Sequence, residues 1–140
     1  MRAIGVGLVA AAQARFDIGV DPQGMPWAAL QPAYAATKTN HQILVESGLL
    51  RQLSMATSGL TVTVGTNRIY GAVHQFGATI VPKGARTLKF RLGGRWVSAH
   101  KSVIPARPYL GFGPAEQLAV EDAMAAVLGG ALDGLQRPRF

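Results

Sequence analysis

Residues 87–98 constrain the fold more than any other stretch of this chain. In Thr87-Leu88-Lys89-Phe90-Arg91-Leu92, apolar and basic residues alternate. Leu88, Phe90 and Leu92 fall on one face of a strand, and Lys89 and Arg91 on the other. Gly93-Gly94 follows, then Arg95 to Ser98 in a second extended run. Two glycines between alternating runs specify a two-residue hairpin turn, whose backbone needs positive φ. The chain therefore contains a β-hairpin with one apolar and one basic face, which excludes an all-helical fold.

Two strings bracket the hairpin: His74-Gln75-Phe76-Gly77 before it and Ile104-Pro105-Ala106-Arg107-Pro108-Tyr109-Leu110-Gly111 after it. Pro105 and Pro108 hold their segment extended. Gly77 permits a backbone reversal, and Phe76 is expected in the core. His74 is expected to pack beside it, hydrogen-bonded near the turn. Arg107, restrained between prolines, suits either a bidentate bond to an anion or a tie to its own fold. Both strings read as fixed corners of a structural domain.

Elsewhere the periodicity predicts a helix over Ala3–Arg15 and a turn at Asp21–Pro26 pinned by Trp27. A short helix is expected over Trp27–Lys38, and a further helix over Leu49–Ala56 with Leu49, Leu50 and Leu53 inward. Leu60–Val64 alternates as a strand, Ile69–Phe76 is a short helical or irregular segment, and Thr79–Val81 is a further extended run. A final helix opens at Gly113-Pro114, with Leu118, Ala125, Leu128, Leu132 and Leu135 on one stripe and a kink or end at Gly129-Gly130. The fold class is α+β: a small antiparallel sheet with a long β-hairpin, packed against N-terminal and C-terminal helices. Residues 1–136 make one domain, and 137–140 a loose tail.

At 140 residues, with 49% hydrophobic and 15% charged, the chain can build a core and is too apolar for disorder. Cysteine is absent, which removes disulfides and thiolate metal sites. No apolar run approaches the ~18 residues of a membrane helix. Met1-Arg2, a small-residue apolar run and Ala12-Gln13-Ala14 mimic a secretory signal. The segment's glycines and single leucine fit better a small-residue helix packed closely on a neighbour.

Net charge is +7. Between Ser47 and Ala115 there is no acid, yet Arg51, Arg68, Lys83, Arg86, Lys89, Arg91, Arg95, Lys101 and Arg107 all lie there. A one-sign region favours an acidic protein surface or a nucleic acid. It also serves as a plain solvated face. Phe90 and Trp96 lie among these bases, but alternation assigns Phe90 to the apolar face, and Trp96 is read as core as well. Base readout is unsupported, while phosphate contact is allowed.

Catalytic patterns are missing. Gly5-x-Gly7-x-x-Ala10 lacks the preceding strand that a dinucleotide fingerprint requires. His41, His74 and His100 form no paired ligand motif, and no nucleophile elbow is present. The expectation is a non-enzyme without cofactor or metal.

Taken in order, Arg15-Phe16, Asp21-Pro22-x-Gly24 with Trp27 and Leu30, Leu44-x-x-Ser47-Gly48-x-Leu50, Val64-Gly65-Thr66-Asn67, Tyr70 and the two bracketing strings show a resemblance. The chain resembles the phage virion morphogenesis family of Mu-like phages, described as tail-completion proteins. The likeness covers roughly Met1 to Ala131. Family members carry further sequence before the segment matching Met1–Arg15, so nothing about that extension carries over. The resemblance implies an α+β protein of the head–tail junction or tail end, located in the virion and assembled in the host cytoplasm. It implies a ring of its own copies, six favoured, touching tail-tube and head–tail connector proteins. Non-specific contact with phage DNA is allowed, and no membrane is involved. Lys89, Arg91, Arg95, Arg107 and Tyr109 are the candidate interface residues. Trp27, His74, Phe76, Gly77, Pro105 and Pro108 are the structural motif. The alternative is a basic nucleic-acid-binding module, and a remote third is a secreted hydrolase.

Overall fold

The computed structural model describes residues 1–136; the tail 137–140 lies outside them. The elements run α1 (Arg2–Ile18), α2 (Pro32–Ala35), β1 (Ser54–Ser58), β2 (Thr61–Gly65), α3 (Gly71–Phe76), β3 (Ala78–Ile80), β4 (Leu88–Leu92), β5 (Arg95–Ala99), β6 (Ser102–Ile104) and α4 (Pro114–Gln136). The α+β class is as expected. The strands form three antiparallel pairs, β1-β2, β3-β6 and β4-β5, in place of one sheet.

Small residues let α1 lie close to two neighbours, as its composition suggests. A Cβ on Gly5 would collide with Met55 of β1 and meet Val62 of β2 at 3.2 Å. A Cβ on Gly7 would sit 3.1 Å from the Ala119 Cβ of α4. Glu116 of α4 pairs with Arg15 near the far end of α1, so the two helices run antiparallel. Phe16 anchors the core cluster with Trp27, Leu50 and Tyr109. Its ring meets Trp27 edge-on at 5.7 Å and Tyr109 at 5.4 Å, arrangements that aromatic quadrupoles favour.

The β4-β5 hairpin turns through Gly93 and Gly94, both at positive φ (60° and 78°), as the glycine pair requires. Residues 78–80 and 102–104 pair beneath it, so β3-β6 forms its base.

Several expectations are corrected. Trp27–Lys38 is helical only over Pro32–Ala35. Pro32 forces Gln31 out of the helical region (φ −58°, ψ 135°), and the chain from Trp27 to Gln31 runs outside any helix. Leu49–Ala56 is a turn followed by β1. Three leucines at helical spacing lost to the need of β2 for a ladder partner, and only Leu50 is buried. In α4 the buried or half-buried face consists of Glu116, Ala119, Val120 and Ala123, and the leucine stripe points to solvent. The helix runs unbroken through Gly129-Gly130.

Gly77 takes φ 74°, ψ 167°, a region essentially restricted to glycine. A Cβ there would lie 2.8 Å from the Ile104 carbonyl oxygen and 2.9 Å from the Ala106 nitrogen. Gly77→Ala is expected to destabilise by about 1–3 kcal/mol. Gly84→Ala, whose Cβ would meet nothing within 4 Å, should stay within about 0.5 kcal/mol of the parent. Urea denaturation of both variants checks the pair.

Candidate functional site

The two strings that bracket the hairpin meet in the middle of the fold. Residues 107–110 form an irregular segment there, and its backbone groups are bonded one by one. The Arg107 N–H donates to the His74 carbonyl at 2.8 Å. The Trp27 indole Nε1 donates to the Pro108 carbonyl at 2.8 Å. Arg15 Nη1 donates to the Tyr109 carbonyl at 3.1 Å. The Gln75 Oε1 accepts from the Tyr109 and Leu110 N–H groups at 3.1 and 3.0 Å, and its Nε2 donates back to the Leu110 carbonyl at 2.7 Å. The Tyr109 hydroxyl donates to the Gly71 carbonyl at 3.1 Å. Burying an irregular segment is tolerable only when its polar groups are paired in this way.

Charge holds the same centre. Arg15 and Glu116 form a salt bridge whose side chains are almost wholly removed from solvent. The second Glu116 oxygen accepts the Gly113 N–H at 2.9 Å, at the entry to α4. A buried carboxylate is stable only when paired and hydrogen-bonded, and both conditions hold. Arg107 is buried too, and its Nε and Nη2 donate to the Ala28 and Ala29 carbonyls at 2.8 and 3.1 Å.

A cleft of about 830 Å³ opens between this centre and the hairpin. Phe90 and Leu92 form its hairpin wall, and Leu30, Leu44, Tyr70 and Ile104 line the body side. The apolar face of the hairpin thus covers a cleft and takes no part in the core cluster. At the cleft edge, Lys38 Nζ donates to the Gln42 and Val45 carbonyls, both at 3.0 Å, and pairs with Glu46 at 3.1 Å. That contact holds the Glu46 carboxyl below its ordinary value. His74 also lines the cleft. Burial, with the Arg107 charge second, lowers its pKa, and its Nδ1 is buried without a partner among the described residues. Among the described residues the hydrogen bond expected for that ring is not made; its aromatic neighbour is Tyr70, edge-on at 6.1 Å.

The structure divides the expected site residues into two groups. Trp27, His74, Gly77, Pro108, Arg107 and Tyr109 come together at the centre, and Pro105 lines the cleft beside them. Arg107 and Tyr109 are therefore corrected as interface candidates: their polar atoms are used inside the fold. Phe76 is corrected as well, being 78% exposed. The face of α3 turned to the fold carries Gly71 and Gln75, and Phe76 points away from it. Lys89, Arg91 and Arg95 stay on the exposed hairpin. Pairing places Trp96 opposite Arg91 and Arg95 opposite Leu92. Trp96, expected in the core, is 73% exposed and has the Arg91 guanidinium 5.8 Å from its ring centre. Gln75 and Arg15 stand within the strings the sequence singles out but had no role assigned there, and neither did Glu116. The partners that bring Gln75 and Arg15 into the centre lie 34 to 101 positions away, and the one local mark of Glu116 is its bond to the Gly113 N–H three residues back.

A family model described as the phage virion morphogenesis family matches residues 1–129. No curated protein and no solved structure matches the chain.

Two outcomes follow from this geometry. Gln75→Ala removes three hydrogen bonds and orphans two N–H groups, so it should cost about 2 kcal/mol or more in urea denaturation. Gln75→Glu keeps both acceptor bonds and should lose less. His74 has an ordinary value of 6.5 and a lower one when folded. The unfolded chain therefore binds the proton first. Stability should be full above that pH and fall as pH drops below it towards the folded value. His74→Gln should flatten the fall in melting temperature between pH 7 and 5.5.

Proposed function

The chain belongs to the phage virion morphogenesis family, and on that premise we propose that it is a structural protein completing the tail or joining it to the head. In this reading copies close into a ring, six favoured, that meets tail-tube and head–tail connector proteins and carries out no catalysis. One observation supports it above the others. The fold keeps a small, heavily bonded centre and leaves Phe76, Trp96, Phe112 and the leucines of α4 in solvent. These are large apolar side chains that a neighbouring subunit would cover. A closed ring needs two different patches that match, and the hairpin and α4 offer two of opposite charge.

A second reading has its own support. Lys89, Arg91 and Trp96 share the exposed hairpin face, where a ring flanked by cations suits a single-stranded nucleic acid. DNA affinity falling steeply with salt on a log–log plot would favour it, and salt-insensitive oligomers without DNA affinity would favour the first.

Arg91→Glu should impair ring formation in sedimentation while leaving the melting temperature within a few degrees of the parent. Arg95→Glu should do the same. A phage lacking the gene should accumulate separate heads and tails in electron micrographs. Normal rings from both variants, or intact particles without the gene, would remove the proposal.

A further inference from the structure

We propose that copies of this chain join edge to edge through the β1-β2 hairpin, the β2 edge of one copy pairing antiparallel with the β1 edge of the next. The inference rests on the assembly reading above and names a main-chain contact for it.

The hairpin is covered on one side only. Gly5 of α1 lies against Met55 and Val62, so the helix takes the inner face. Ser54, Ala56, Ser58, Thr61 and Thr63 form the outer face, and all are exposed. The turn is Gly59-Leu60, and of the two only Gly59 takes a positive φ, at 56°. That is a type II′ turn, which makes Ser58 and Thr61 a hydrogen-bonded pair. Alternation along the ladder then points the N–H and C=O of Met55 and Thr57 out from β1, and those of Val62 and Val64 out from β2. Among the described residues, no backbone group of 54–65 bonds outside the pair. Both edges are therefore open rows of donors and acceptors.

An open edge accepts an extended strand, and the strands of this chain differ in how they are guarded against one. Proteins block unwanted edge pairing with charge, proline or shortness. β4 carries Lys89 and Arg91, and β5 carries Arg95. β3 and β6 have three residues each, with Pro82 and Pro105 close behind. Residues 52–67 hold no charge and no proline, in a chain of net charge +7. Two copies of this segment meet without the like-charge repulsion that two β4-β5 hairpins would suffer. Thr61, Val62, Thr63 and Val64 are also residue types that favour strands. Geometry gives the arrangement. A neighbour set beside the hairpin in the same orientation brings its β1 antiparallel to β2 and keeps α1 on the same face. Two-fold pairing of β2 with β2 would leave both β1 edges open. Head-to-tail pairing uses every edge when the ring closes.

The test uses the full chain. Thr57 is exposed and its N–H points outward, so Thr57→Pro removes an edge donor and no bond within the hairpin. That variant should fall from oligomer to the monomer mass of 14.7 kDa in sedimentation, with its melting temperature within a few degrees of the parent. In the unmodified chain, the Val62 and Val64 amides should exchange at least about tenfold slower in the oligomer than after dilution to monomer. Should Thr57→Pro unfold, cross-linking carries the test, since the chain has no cysteine of its own. Pairing sets Thr63 opposite one outer-face position of the neighbour's β1. Thr63→Cys mixed in turn with Ser54→Cys, Ala56→Cys and Ser58→Cys should therefore form a disulfide between copies in one mixture, and no variant should do so alone. If oligomers survive Thr57→Pro and no mixture cross-links, this contact is wrong and the ring reading stands. Efficient cross-linking by Thr63→Cys alone means β2 pairs with β2, which also overturns it. An unmodified chain that stays monomeric at millimolar concentration overturns both and leaves the edges to a strand of another protein.

Discussion

An irregular segment runs through the centre of this protein, and the rest of the fold is arranged to pay for its hydrogen bonds. Residues 107–110 arrive from β6 and leave towards α4, with neither helix nor strand to satisfy their backbone. Partners come instead from α1 through Arg15, from the loop after it through Trp27, and from α3 through His74 and Gln75. Remove any one, and a buried donor or acceptor is orphaned at a cost near that of desolvating it. The segment thus ties α1, the loop after it and α3 together by hydrogen bonds, beside the aromatic contacts of Phe16 with Trp27 and Tyr109. It also fixes the direction from which the hairpin departs and α4 begins.

This arrangement explains which parts of the fold were legible in sequence. Signals carried by adjacent residues survived. Alternation in 88–92, the Gly93-Gly94 turn, the β2 run, the small residues of α1 and the Pro-Gly turn before Trp27 each state a local backbone preference. Tertiary structure agreed with them. Signals that needed a partner failed. Leu49, Leu50 and Leu53 have helical spacing, but β2 required an edge strand and the chain supplied one at Ser54–Ser58. Amphipathic spacing in α4 marks a real apolar stripe, yet the helix packs Ala119 on Gly7 and turns the stripe outward. Periodicity reveals that a face is apolar, not whether its own chain covers it.

The centre was legible as a pair of strings and illegible as a mechanism. Gly77 announced a rigid corner in the first string, and Pro105 and Pro108 announced one in the second. What joins them is Gln75, a residue type with no strong local preference, whose amide carries three bonds to a segment 34 and 35 positions away. Arg107 shows the converse. Its setting between prolines suits anion recognition and internal bracing alike, and only the Ala28 and Ala29 carbonyls decide between them.

A centre held by directional bonds has a consequence for assembly. Apolar packing tolerates small rotations, because dispersion contacts are many and individually weak. Hydrogen bonds and a buried ion pair tolerate them poorly, because their energy falls steeply with angle. A subunit that must present two patches at a fixed angle gains from the second kind of core. Trp96 on the hairpin and the leucines along α4 are not used internally and stay at the surface. Arg15 and Glu116 sit where those two demands meet. The pair closes the centre on one side and, through the Gly113 N–H, sets the first turn of the helix that carries the exposed stripe on the other. The helix that carries the outer stripe therefore starts from a turn held by a charge pair almost wholly removed from solvent.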